Sequence, residues 1–130
     1  MGLILDTHFI ITAEREARRG LGNRADRFLA SCSDETLFIT FTIASELACG
    51  QSAAQRLDWE RLCRPYPILP PTREISWQYG EIYRGLAAKG RLIGTNDLWI
   101  AATALAHGMS VVTNNQEEFE RVPGRVVINY

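Results

Sequence analysis

The chain has 130 residues, of which 46% are apolar and 22% charged, with a formal net charge of -1. These are the proportions of one globular domain, 1–130, large enough to bury a core without metal or disulfide staples. They exclude a membrane span, because no apolar run approaches the roughly 20 residues such a helix needs, and a uniformly basic protein that coats nucleic acid.

Leu3-Ile4-Leu5 is a short buried-strand candidate, ended by Asp6. Phe9 to about Arg19 reads as a helix that Gly20 and Gly22 interrupt, and Ala25 to Ala30 as a second helical piece. Thr36 to Thr40 is rich in β-branched and aromatic residues and predicts a strand. Thr42 then caps a helix through Ile43, Ala44, Glu46 and Leu47 toward Gly50. Ala53 to Leu62 is the next helix, ended by Pro65 and Pro67, and Tyr66-Pro67-Ile68-Leu69 can only be an edge strand.

Thr72 opens the clearest amphipathic helix, with Ile75, Tyr79, Ile82 and Leu86 on one face and Lys89-Gly90 closing it. Thr95 or Asn96 caps the following helix, Leu98 to His107, with Gly108 at its end. Strands Ser110–Thr113 and Arg125–Ile128 flank a short acidic segment, Gln116 to Arg121. Strands alternating with helices predict an α/β layer fold around a mostly parallel sheet, in which ligands bind beyond the carboxyl ends of the strands.

Thirteen arginines and one lysine, Lys89, face fifteen carboxylates. Arg15, Arg18, Arg19, Arg24 and Arg27 crowd one segment. They form either a solvated helix face with pairs such as Glu14–Arg18 or a patch that holds phosphate or a partner. The three cysteines, Cys32, Cys49 and Cys63, are scattered and odd in number, which suits reduced thiols and, with no basic leader at the N-terminus, a cytoplasmic protein.

The carboxylates fall where a strand meets the next loop or helix. Asp6 follows the first strand, Glu46 lies early in the helix after the second, Asp97 lies in the first turn of its helix, and Asn115 and Glu118 follow Thr113. Gathered at one sheet edge they would resist joint ionisation, and a divalent cation resolves that conflict. Each also has an ordinary reading: Asp97 as a helix-start residue, Glu46 as a surface residue, and Glu117, Glu118 and Glu120 as a solvated patch. Trp59, Trp77 and Trp99 could stack bases, but are expected in the core or at an interface, with Phe119 anchoring its short helix.

Leu3-Ile4-Leu5-Asp6-Thr7, Thr42-Ile43-Ala44-Ser45-Glu46-Leu47 with Gly50, Gly94 to Ala102, and Val111-Val112-Thr113-Asn114-Asn115 leading to Glu118-Phe119-Glu120-Arg121-Val122-Pro123-Gly124 occur in this order. In this the chain resembles the PIN-domain ribonucleases, and among them the VapC-type toxins of bacterial toxin–antitoxin pairs. The resemblance implies a three-layer α/β/α sandwich with about five mostly parallel strands. It further implies a Mg2+-dependent endoribonuclease, with Mn2+ as a substitute, that cuts single-stranded or loop RNA such as tRNA or rRNA.

By the same resemblance Asp6 and Asp97 are the metal ligands, Glu46 is the second acid and Glu118 the fourth, and Asn115 stands where many members carry Asp. Thr7 and Thr113 would hold carboxylates by hydroxyl bonds. His8 replaces the usual Ser or Asn and would orient the carboxylates or face solvent. A VapB-type antitoxin and a homodimer are the expected partners. The alternatives are a catalytically weak PIN-like RNA- or partner-binding module and a housekeeping RNA-processing nuclease without antitoxin. A receiver-like phosphoacceptor is disfavoured, because Lys89 ends a mid-chain helix instead of following a late strand.

Overall fold

The computed structural model describes residues 2–20, 24–124 and 127–130. Strand β1 (Gly2–Leu5) runs into helix α1 (Thr7–Arg19), followed by α2 (Arg24–Ser31), β2 (Thr36–Thr40) and α3 (Phe41–Ala48). A 3-10 turn, Gln51–Ala53, leads to α4 (Arg56–Cys63), β3 (Ile68–Leu69), α5 (Arg73–Ala88) and α6 (Thr95–His107). The chain continues through β4 (Ser110–Val112), α7 (Gln116–Glu120) and β5 (Val127–Ile128). The five strands form one sheet in the order β3-β2-β1-β4-β5, and every pairing is parallel. This is the expected α/β/α architecture, with the sheet entirely instead of mostly parallel.

Strand order decides where a ligand can bind. From β1 the chain moves outward through β2 to β3, then crosses back to β4 and moves the other way to β5, so the order reverses between β1 and β4. A crevice opens at such a reversal, beyond the carboxyl ends of the strands. Asp6 and Thr113 are the first residues past those two ends, and the Asp6 amide donates to the Val112 carbonyl at 3.1 Å.

The central strand β1 is buried along its whole length and β4 at Val111 and Val112, as a parallel sheet under helices requires, while the outer strands are more open. Ile4, Leu5, Ile39, Val111 and Val112 share one core with Phe9, Ile10, Ile43, Ile75, Leu86, Leu98 and Ala101 from the helices. Phe9 is also packed edge-on by Tyr130 and Phe28, with ring centroids 4.7 and 5.7 Å away. Pro67 and Pro70 bracket β3, which pairs on one side only, so the edge position read from the prolines holds.

Helix α1 begins at Thr7, two residues before Phe9, and the starts of α3, α6 and α4 also differ from the sequence reading. The cap of α3 is Thr40, whose hydroxyl accepts from the Ile43 amide at 3.1 Å; Thr42 is buried one residue into the helix. Because Thr40 ends β2 with extended dihedrals, strand passes into helix without a loop, and the earlier threonine takes the cap. Helix α6 starts after Gly94, with no side-chain cap, so Thr95 and Asn96 both lie inside its first turn. The Ala53–Leu62 segment splits, because Gln55 is extended and separates the 3-10 turn from α4. Of the last strand Arg125–Ile128, Arg125 and Val126 lie outside the described residues.

Candidate active site

Asp6 begins as an ordinary helix cap: its Oδ1 accepts from the Phe9 amide at 2.9 Å. The buried Thr113 hydroxyl holds the same carboxyl. Burial nevertheless raises the Asp6 pKa above its usual value, with the Glu46 charge adding to it, against the lowering effect of those bonds and of exposed His8.

Glu46 is fixed from both sides. Thr7 Oγ1 donates to its Oε1 at 2.6 Å, and Asn96 Nδ2 donates to its Oε2 at 3.2 Å. The sequence alone does not mark Asn96 as a site residue, because an Asn at the start of its own helix reads as a cap. Gly94 starts that helix with its backbone alone, which leaves the Asn96 amide to reach across 50 residues of sequence. A Gly preceding a Thr-Asn-Asp run is the signal for this, since glycine tolerates the cap position without a side chain.

Asp97 and Glu118 form the other half. Asn115 Nδ2 donates to Asp97 Oδ2 at 3.2 Å and to Glu118 Oε2 at 2.9 Å, while the Gly94 amide donates to Glu118 Oε1 at 3.2 Å. Asn115 is held in turn by its own amide, which donates to Thr113 Oγ1 at 2.9 Å. The Asp97 pKa is pushed up to about 7, by burial first, then by its hydrogen bond with Glu118 and by the charges of Glu118, Glu46 and Asp6. Glu118 moves the opposite way, lowered by that same bond and by Asn115, Gly94 and Arg121. The two neighbouring carboxyls are thus shifted in opposite directions, Asp97 up and Glu118 down.

The structure therefore brings together Asp6, Thr7, Glu46, Asp97, Thr113, Asn115 and Glu118, and adds Asn96 and the Gly94 amide. The sequence-derived arginine cluster is not among them. Arg18 and Arg19 end α1, which Asp6 caps at its other end, so they lie roughly 20 Å along the helix axis from the carboxylates. Arg18 pairs with Glu14, and Arg24 donates to the Tyr130 carbonyl at 2.7 Å. A concavity of about 770 Å3, lined by Ile10, Leu29, Leu62 and Tyr66 among others, contains none of the site carboxylates. Trp59 and Trp99 are half-buried and packed against the core, Trp77 is 57% exposed and stands outside it, and Phe119 is buried.

Among the described residues no three His, Cys, Asp or Glu side chains are grouped so that they could hold a metal ion between them. Mg2+ does not require such a cage, because it keeps several waters and takes one or two carboxylates. Asp6 and Asp97 fit that demand: both are hard oxygen donors, and both are held above their usual pKa by burial and neighbouring negative charge that a cation would offset.

The PIN domain model matches residues 3–125. The chain is 31% identical over 124 residues to Ribonuclease VapC1 of Haemophilus influenzae strain R2866, an alignment covering 92% of this chain and 90% of the relative. To Ribonuclease VapC2 of Rickettsia felis it is 30% identical over 102 residues, covering 75% and 76%. The solved structure of VapBC-1 from nontypeable Haemophilus influenzae superposes with a TM-score of 0.81 at 27% identity, over 99% of this chain and 98% of that one. VapBC2 from Rickettsia felis, solved bound to a DNA fragment from its promoter, shares the fold with a TM-score of 0.80 at 23% identity, over 100% and 99%. With its fold, its matched length and these relatives, the chain belongs to the PIN-domain family, in its VapC branch.

Proposed function

We propose that this protein is a Mg2+-dependent endoribonuclease, the toxin of a toxin–antitoxin pair, which cuts exposed loop RNA with water as the nucleophile. The observation that carries the reading is Asp97: a carboxyl pushed up to about 7 by burial first and then by Glu118, Glu46 and Asp6, at the crevice between β1 and β4, is a group arranged for a cation. A crevice open at the sheet edge suits a splayed single strand better than a duplex, whose bases are hidden in a deep groove.

The roles follow from the hydrogen bonds. Asp6 and Asp97 would hold Mg2+, which when bound supplies positive charge against the phosphodiester and acidifies a water. Glu46, gripped by Thr7 and Asn96 on its two oxygens, would accept the proton of the attacking water from a fixed direction. Glu118, held by Gly94 and Asn115, would orient water on the Asp97 side. His8, exposed in the first turn of α1, would approach a phosphate when protonated.

The partner belongs to the same proposal. Relatives of this chain are named Ribonuclease VapC, and the similar solved structures include VapBC assemblies. A VapB-type antitoxin would therefore cover the acidic crevice, and the toxin would act as a homodimer. Cleavage of a tRNA and rRNA pool by the purified protein, with Mg2+, Mn2+ or EDTA, tests the reading. Cleavage should require the cation and be abolished in Asp6→Asn and Asp97→Asn. Cation-independent cutting, or activity retained in both variants, would overturn it, and RNA binding without cutting would favour the non-catalytic module.

A further inference from the structure

Arg121 belongs to the Glu118–Gly124 motif but has no role in the reaction just described. Its Nη1 donates to the Leu92 carbonyl at 3.1 Å and its Nη2 to Glu117 Oε1 at 3.2 Å. The guanidinium is well covered, with a side chain only 23% exposed, whereas Glu117 is in solvent. Two residues beyond Leu92, the Gly94 amide donates to Glu118 Oε1, and three further on lies Asp97, joined by Asn115 to the same Glu118. Between the two backbone contacts Ile93 is buried in the core.

Helix α7 and the Arg121 that ends it thus grip the segment leading into α6 at two backbone groups two residues apart, the Leu92 carbonyl and the Gly94 amide. The helix is itself seated by Phe119 and Val122, both about 1% exposed. Arginine suits this place because its planar fork can reach a carbonyl and a carboxylate at once while staying charged beside Glu118.

We propose that Arg121 is a positioning residue: by holding the Leu92 carbonyl it fixes the Gly94 amide against Glu118 and so sets where Asp97 stands at the start of α6. The consequence for metal rests on the nuclease reading above; the consequence for Gly94 does not. Outer-shell groups that orient a ligand typically alter metal affinity or activity by about 10–100-fold when removed.

The test uses the full chain and two readouts besides activity. In Arg121→Ala, amide exchange at Gly94, normalised to amides of β1 and β4 that report global opening, should speed by about tenfold or more. The Mn2+ dissociation constant, measured by calorimetry, should rise by about tenfold. Arg121→Lys, which keeps the charge and one donor direction, should recover part of both. If Arg121→Ala does not fold, Arg121→Gln keeps the aliphatic stem, withdraws the fork from Leu92 and is read in the same way.

Unchanged Gly94 exchange in a folded variant overturns the proposal, as does a loss spread evenly over all amides. A raised KM for RNA with unchanged exchange and Mn2+ affinity would put Arg121 on the substrate and overturn it as well. A wild type that binds no Mn2+ would instead defeat the nuclease reading, and the Gly94 exchange alone would then decide what Arg121 does.

Discussion

Thr7 and Glu46 meet across the sheet edge, the threonine hydroxyl donating to Glu46 Oε1 at 2.6 Å although 39 residues separate them. The first residue of α1 therefore aims a side chain of α3. A hydrogen bond to a charged group contributes about 1.5–3 kcal/mol, so Thr7→Val, which keeps the branched shape and removes the donor, should lower kcat by about 10–100-fold. Thr7→Ser should retain most of the activity. Steady-state kinetics at saturating Mg2+ checks both, and an unimpaired valine variant would show that Glu46 needs no help from Thr7.

The raised pKa of Asp97 has a sign that can be read in stability. Its folded value, about 7, lies above the ordinary 3.8, so between these values the metal-free folded state binds more protons than the unfolded chain. Stability from this group is therefore full at low pH and lost as pH rises from about 4 to about 7. Asp6 shifts in the same direction, while the lowered Glu118 acts below its ordinary 4.5 and leaves the upper part of the window to the aspartates. Thermal melts in EDTA should show Tm falling across that window, more shallowly in Asp97→Asn. Mn2+ should reverse the fall at pH 7 and release up to about one proton per ion at pH 6.5.

The sequence reading and the structure agree where local chemistry is decisive. Thr36–Thr40 is a strand with those bounds, and Thr72 caps α5 by accepting from the Ile75 amide at 3.2 Å. They part where two residues compete for one task. Thr40 and Thr42 both suit a cap, and only the continuity of β2 with α3 selects the first. Asn96 suits a cap as well, and only the distance to Glu46 shows its amide engaged elsewhere. The meeting of Asp6, Glu46, Asp97 and Glu118 at one edge was legible, because each follows a strand or opens a helix on a parallel sheet. Which of them keeps a proton was not, because that depends on burial and on the bonds through Asn115.

Asn115 offers a sharper test of the same electrostatics. Its amide donates to Asp97 and Glu118 together, so it offsets part of their repulsion without adding charge. Asn115→Asp replaces that donor with a further acceptor in the same place. The metal-free variant should melt several degrees below wild type at pH 8, with a still higher apparent pKa for Asp97, and should bind Mn2+ more tightly by about three- to tenfold. Asn115→Ala should lower kcat by about tenfold without that gain in affinity. Paired melts and calorimetry decide between the two effects.

The tryptophans separate packing from substrate contact. Trp59 donates its indole N–H to the Ala44 carbonyl at 2.9 Å, tying α4 to the helix that carries Glu46. Trp77 is 57% exposed with the Arg84 guanidinium 5.4 Å from its ring. Trp59→Phe keeps an aromatic ring and loses the bond, so it should cost about 0.5–1.5 kcal/mol in denaturant unfolding. Trp77→Ala should stay within about 0.5 kcal/mol of wild type, since little of the ring is packed. Kinetics on the Trp77 variant then isolate base stacking from folding. An aromatic ring under a base contributes about 1–3 kcal/mol, so a KM raised by about fivefold or more would place RNA on α5, and an unchanged KM would confine the substrate to the carboxylate edge.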